Sequence, residues 1–306
     1  MTTQERLRQY YPFTEEIVGQ VADAALRQNR KSFQELADQY GIADGPQIVE
    51  AADGKHTLEV LSVIPQQDYD ASTARVYHTP MANPVSPNMA MRALRLFGSD
   101  PSVQLLVIGN PSIPGHGAGK TTLKESLAMM RSGSLEACVA PVVSYLGKRA
   151  ITKTQQLGYS YGADKAVATT RHASDRGIGV THGVYIEPAS AVKRRMPALA
   201  KAFSETNEPM ARYIQQTESE PYSKVREQDS ALGLVGYAAG LLRVSNIAIA
   251  TTIKQGGFIQ RVDEAMKSQE DLEVTVGWGS LSELAPDDAM TQVVAELQSK
   301  YGAQRI

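Results

Sequence analysis

Hydrophobic and polar positions change period several times along the chain, and each change marks an element. Over residues 1–45 the apolar positions Ile17, Val21, Ala24 and Ala25, then Phe33, Leu36 and Ala37, fall at helical spacing and predict an N-terminal helical extension. Residues 47–51 and 56–64 then read as two strands joined by a tight turn at Asp53-Gly54. A third strand over 73–78 ends at His78 and runs into a Pro-rich loop, which a helix over 88–97 follows. The most continuously apolar run, residues 102–109, suits a central parallel strand buried on both faces. A helix over 134–149, a strand over 151–157, a helix to about residue 175 and a strand over 177–187 continue the alternation. Residues 189–269 read as helix throughout, before a strand over 272–279 and a last helix over 287–301.

This alternation predicts an α/β fold, a mostly parallel sheet flanked by helices. The expected division is an extension at 1–45, a sheet core at 46–188, a helical cap at 189–269 and the rest of the core at 270–306.

Charge and cysteine usage narrow the function classes. A formal net charge of −2 gives no reason to expect a nucleic-acid partner, and Lys193-Arg194-Arg195, the densest basic run, reads as a solvated helix face. The single cysteine, Cys138, excludes an internal disulfide and sits in an apolar run as a small buried hydrophobe. The N-terminus has no apolar core of signal-peptide length, and the apolar stretch at 231–253 is interrupted by Arg243, Ser245 and Asn246. The expectation is a cytoplasmic protein with no membrane span, no cofactor and no metal ion.

Candidate chemistry centres on Gly158-Tyr159-Ser160-Tyr161-Gly162, where a strand pattern gives way to a helical one. A serine on so sharp a turn projects its hydroxyl into open space, and the flanking glycines let strand and helix approach closely. The feeding strand, with Thr152, Thr154, Gln155 and Gln156, is unusually polar for a buried parallel strand.

From residue 45 onward the order of segments resembles the α/β-hydrolase family. The hairpin, the strand ending at His78, the strand ending in Pro114-Gly115-His116-Gly117, the elbow at Ser160, the helical insert and the strand ending in Trp278-Gly279 carry the likeness. The resemblance implies a serine esterase, lipase or amidase with Ser160 as nucleophile. It places the oxyanion N–H groups at Tyr161 and at Thr79 or Met81, since Pro80 has none. The family's acid position is occupied by Ser282, which leaves Glu283, one residue on, and Glu187, after the preceding strand, as carboxylate candidates.

No histidine follows His182 in the sequence, whereas the family's base lies near its C-terminus. Three explanations stay open: a fold kept for binding or assembly without catalysis, a base supplied by His116, or a chain completed by another subunit. A second resemblance, of residues 114–122 with Gly119, Lys120 and Thr121 to a phosphate-cradling loop, would imply nucleotide binding, although Pro114 stands where that loop has its first glycine. The expected partner is a small hydrophobic acyl compound under cap residues such as Leu232, Leu234, Leu241 and Leu242, with a protein partner or second copy on the N-terminal helices.

Overall fold

A computed structural model describes residues 40–42, 47–51, 56–81, 85–98, 100–110, 121–202, 244–279 and 282–306. The strands are β1 (Tyr40–Ile42), β2 (Gln47–Glu50), β3 (Thr57–Pro65), β4 (Thr73–His78), β5 (Gln104–Ile108), β6 (Lys153–Tyr159), β7 (Gly179–Ile186) and β8 (Glu273–Gly277). They form one sheet in the order β1-β3-β5-β4-β6-β7-β8, with β2 also on β3. β5, β4, β6, β7 and β8 run parallel, while β3 is antiparallel to β5 and to both β1 and β2.

The helices are α1 (Pro87–Phe97), α2 (Leu123–Ser132), α3 (Glu136–Lys148), α4 (Tyr161–Ser174), α5 (Val244–Gln255), α6 (Phe258–Ser268) and α7 (Asp287–Tyr301). Successive strand residues feed opposite sides of the sheet, as a period of two requires. On β5, Leu106 and Ile108 join a cluster with Val142 and Leu146 of α3, Val167 of α4 and Phe258 of α6. Leu105 and Val107 instead meet Met89 and Leu94 of α1. Each such side chain withdrawn from water contributes about 1.5–3 kcal/mol, so the sheet is held from both faces.

Three elements differ from the sequence expectation, the first being α2, which lies where no element was expected. Residues 40–42, inside the stretch read as helical, form β1 on the outer side of β3. Helix α6, read as part of the cap, packs on α4, and its Phe258, Val262, Ala265 and Met266 enter the largest core cluster. Their spacing of four, seven and eight residues is one face of a helix. The N-terminal helices up to residue 39, the Asp53-Gly54 turn, His116 with residues 111–120, and the cap leucines between 203 and 243 lie outside the described residues.

Candidate active site

The parallel strands end together, and the chemistry-bearing residues follow directly on those ends. Ser160 leaves β6 with φ 55° and ψ −128°, a region that side-chain-bearing residues rarely occupy, and is the N-cap of α4. No hydrogen bond holds its hydroxyl among the described residues, and 8% of the residue's surface is exposed. The two glycines explain how the turn closes. A Cβ on Gly158 would overlap the carbonyl of Gly162, and a Cβ on Gly162 would overlap the carbonyl of His78.

Glu187 follows β7 as Ser160 follows β6. The pairing Tyr159 with Ile186, and the bond from Ser160 N–H to the Ile186 carbonyl at 2.9 Å, put the two residues on neighbouring strand ends. Glu187 also has a positive φ, 49°, and among the described non-glycine residues only Ala150 shares that trait with it and Ser160. Its carboxylate accepts from Gly279 N–H at 3.0 Å and from the Ser282 hydroxyl at 3.2 Å. Ser282 stands where the sequence resemblance would place an acid, and its hydroxyl meets a carboxylate reaching over from the neighbouring strand. Burial raises the pKa of Glu187, against the lowering effect of these two bonds. The backbone carbonyl of Glu283 accepts from Arg194 at 2.6 Å, and its carboxylate is close enough to that guanidinium to act on it electrostatically.

The loop after β4 separates the two oxyanion candidates. Thr79 N–H donates to the Ile108 carbonyl at 3.1 Å, so that donor is already used and the expectation for Thr79 is not met. Met81 N–H and Tyr161 N–H have no partner among the described residues. Asn110, just beyond β5, donates through Nδ2 to the carbonyl oxygens of Thr79 at 3.1 Å and Pro80 at 2.7 Å. Lys165 of α4, with no exposed surface, donates through Nζ to Asn110 Oδ1 at 2.9 Å and to the Gly109 carbonyl at 3.0 Å.

Strand order, parallel crossovers and a strained serine clamped between two glycines at a central strand end meet in one place. The chain has an α/β-hydrolase fold. No protein-family model and no curated protein matches the sequence. Among solved structures, this α/β-hydrolase fold is similar to a probable hydrolytic enzyme of Pseudomonas aeruginosa, with 14% identity, a TM-score of 0.49, and coverage of 87% of this chain and 86% of that one. It is also similar to homoserine O-acetyltransferase of Staphylococcus aureus, at 12% identity, TM-score 0.49, and coverage of 87% and 86%. An esterase of Pyrobaculum calidifontis is 14% identical with a TM-score of 0.39, each chain being covered to 97%. Identities this low concern the course of the chain and say nothing of a substrate.

Four of the five histidines of this α/β-hydrolase fold are committed away from Ser160. His56 Nε2 lies 3.1 Å from Glu125, and His182 Nε2 lies 2.7 Å from Glu273 on the neighbouring strand. His172 sits at the end of α4, 3.8 Å from Asp175. His78 is fully buried against Gln156 at 2.9 Å, and burial, then nearby Lys165, pushes its pKa down to about 3. The fifth, His116, is outside the described residues. Of the phosphate-loop stretch only Thr121 and Thr122 are described. Thr122 N–H and Oγ1 are both taken by the Glu125 carboxylate, which caps α2 where a phosphate would have to sit.

Sequence reasoning singled out neither Asn110 nor Lys165, nor Asp164 beside it. Asp164 is buried and bonded to Ser190 and to Arg261. The one available signal was an Asp-Lys pair among the small residues that fill 162–170 of that helix. A testable consequence of the elbow geometry is that Gly162→Ala destabilises the fold by about 1–3 kcal/mol, toward the upper end because the obstacle is backbone. Urea denaturation checks this, and an unchanged midpoint would contradict the close approach.

Proposed function

We propose that the chain is a serine hydrolase that transfers the acyl group of an ester or amide to water through Ser160. The observation that carries this reading is the left-handed backbone of Ser160, a strain of about 1–3 kcal/mol that persists where the surroundings enforce it and clusters at active sites. In the first step the Ser160 hydroxyl oxygen attacks the substrate carbonyl carbon, and its proton passes to a base. The carbonyl oxygen becomes an oxyanion, stabilised by the N–H groups of Tyr161 and Met81. The bond to the leaving group breaks as the base returns the proton to it, and water then releases the acyl group by the same route in reverse.

His116 is the proposed base. Every other histidine is held elsewhere, and a serine without a base is a weak nucleophile near neutral pH. Glu187, anchored toward the end of β8, is the proposed carboxylate that orients it. A small hydrophobic acyl compound remains the proposed substrate, and the insert between β7 and α6 the proposed cap. A cytoplasmic location belongs to the same proposal; among the described residues no helix is long and apolar enough to cross a membrane.

Incubation with a fluorophosphonate probe tests the reading. One probe per chain is expected, carried on the peptide containing Ser160 when the digest is analysed by mass spectrometry. An absence of labelling favours a binding module that keeps the fold without the chemistry. Undiminished labelling of His116→Ala removes that residue from the base's role.

A further inference from the structure

Lys165 is difficult to explain as packing. It comes from the second turn of the elbow helix with no exposed surface, and its hydrogen-bond partners among the described residues are two neutral oxygens. Burying an ammonium with no carboxylate bonded to it costs several kcal/mol that an apolar side chain of the same length would avoid. The residue stays where its charge can act on something. What it holds is Asn110, and what Asn110 holds is the loop after β4.

The direction of that hold follows from elementary geometry. Asn110 grips the Pro80 carbonyl, which belongs to the same peptide unit as Met81 N–H. The described residues contain no cis peptide bond, and in a trans unit the C=O and N–H point in opposite directions. β4 lies between β5 and β6 in the sheet. A carbonyl held by Asn110 leaves the N–H of the same unit pointing away from Asn110, and Ser160, at the end of β6, stands across β4 from the β5 end that carries Asn110. Gly162 closes the other side, its backbone lying against the carbonyls of His78 and Thr79.

We propose that Lys165 is a positioning residue for oxyanion stabilisation: through Asn110 it fixes and polarises the Pro80–Met81 peptide so that Met81 N–H faces the oxygen developing at Ser160. This rests on the acyl-transfer reading above. Each link in the chain, ammonium to amide oxygen, amide N–H to peptide carbonyl, peptide N–H to oxyanion, strengthens the next in a low-dielectric interior. A donor aimed in advance is worth far more there than one that must be recruited during the reaction.

Protonation gives the device a signature. Burial pushes the pKa of Lys165 down to about 8. The groups facing it are neutral His78 from β4 and the Cys138 thiol from α3, while the Glu59 carboxyl of β3 flanks Gly109, whose carbonyl Lys165 holds. Asp164, on its own helix, is turned to Ser190 and Arg261. Lys165 carries its proton below its pKa and loses it above, so the contribution to reactivity is present on the acid side and fades as the pH rises through about 8.

The experiment compares fluorophosphonate labelling rates of the full chain, Lys165→Met, Asn110→Ala and the double variant across pH 6–10. Each single variant is expected to label about 10–100-fold more slowly, and the double no more slowly than the worse single, because both cut one chain of bonds. Wild-type labelling is expected to decline above pH 8, and Lys165→Met to show no such decline. The melting temperature of Lys165→Met is expected to match or exceed that of the wild type. If Lys165→Met labels at the wild-type rate with the wild-type pH profile, the inference is overturned while the acyl-transfer reading stands. A loss of labelling only in step with a lowered melting temperature also overturns it, by making Lys165 structural. Failure of the wild type to label overturns the acyl-transfer reading and this one with it.

Discussion

Ser160→Ala is expected to abolish capture by a fluorophosphonate and to slow hydrolysis of a p-nitrophenyl ester by about 10⁴–10⁶-fold, the scale on which loss of a serine nucleophile acts. Alanine removes the attacking oxygen and leaves both the glycine clamp and the Cβ at the strained position unchanged, so the melting temperature should hold. Glu187→Gln keeps the shape of the side chain and can still meet the Ser282 hydroxyl, but it offers only one carbonyl oxygen where two carboxylate oxygens now accept. Without its charge a base above it is poorly oriented, and a loss of roughly 10²–10⁴-fold is expected. Combining the two substitutions should cost no more than Ser160→Ala alone, since residues that act as one unit are not additive. Steady-state hydrolysis of the ester by the four proteins checks all three statements. Ester turnover that survives in Ser160→Ala places the chemistry somewhere else.

The turn at Ser160 was legible because what it requires is local. Two backbone segments meet with no room for a Cβ, and only glycine satisfies that at both positions. The strand succession was legible for a similar reason, since the continuous apolar run of β5 marks a strand buried on both faces whatever lies around it. β6 shows the opposite case. Its polar residues look wrong for a central strand until Gln156 is seen donating to Thr154 Oγ1 at 2.9 Å and meeting His78 Nε2 from β4 at 2.9 Å, so that these buried polar side chains find one another within the sheet. Ser282 and Glu187 illustrate what a linear pattern cannot carry. They are 95 residues apart, and only the parallel pairing of β7 with β8 brings a carboxylate from one to a hydroxyl near the other. Asp164 and Lys165 were illegible because charged residues in a helix ordinarily face water, whereas α4 is buried on every side from Tyr161 to Thr170. The placement of α6 failed through position in the chain. It follows the insert directly, and its strong apolar face reads equally well as a cap helix or as a helix laid on the sheet.

Asp164→Ala is expected to be the most destabilising single substitution considered, at about 3–5 kcal/mol, because it strips the partner from a largely buried cation. The carboxylate side chain is 1% exposed and Arg261, 2.9 Å away, is 13% exposed. Asp164 also accepts from Ser190 N–H at 3.1 Å and from the Ser190 hydroxyl, which Arg261 contacts as well. Ser190 lies just past the end of β7 and Arg261 lies on α6, so one buried carboxylate ties both ends of the insert to the helix that begins at Ser160. Its removal leaves a guanidinium without its counter-charge and the Ser190 N–H without its acceptor in a site that water enters poorly. On the usual scaling for a domain this large, the melting temperature should fall by roughly 6–15 °C. Pairing it with Arg261→Met should restore part of the loss, because the worst consequence is the stranded charge rather than the missing bond. Amide hydrogen exchange adds a spatial check: protection should drop first in residues 258–268 and around Ser190, with β4 and β5 little affected. A fall of only one or two degrees, or a double variant no more stable than the single, would show that the clasp contributes little and that packing of Phe258 and Val262 alone holds α6 in place.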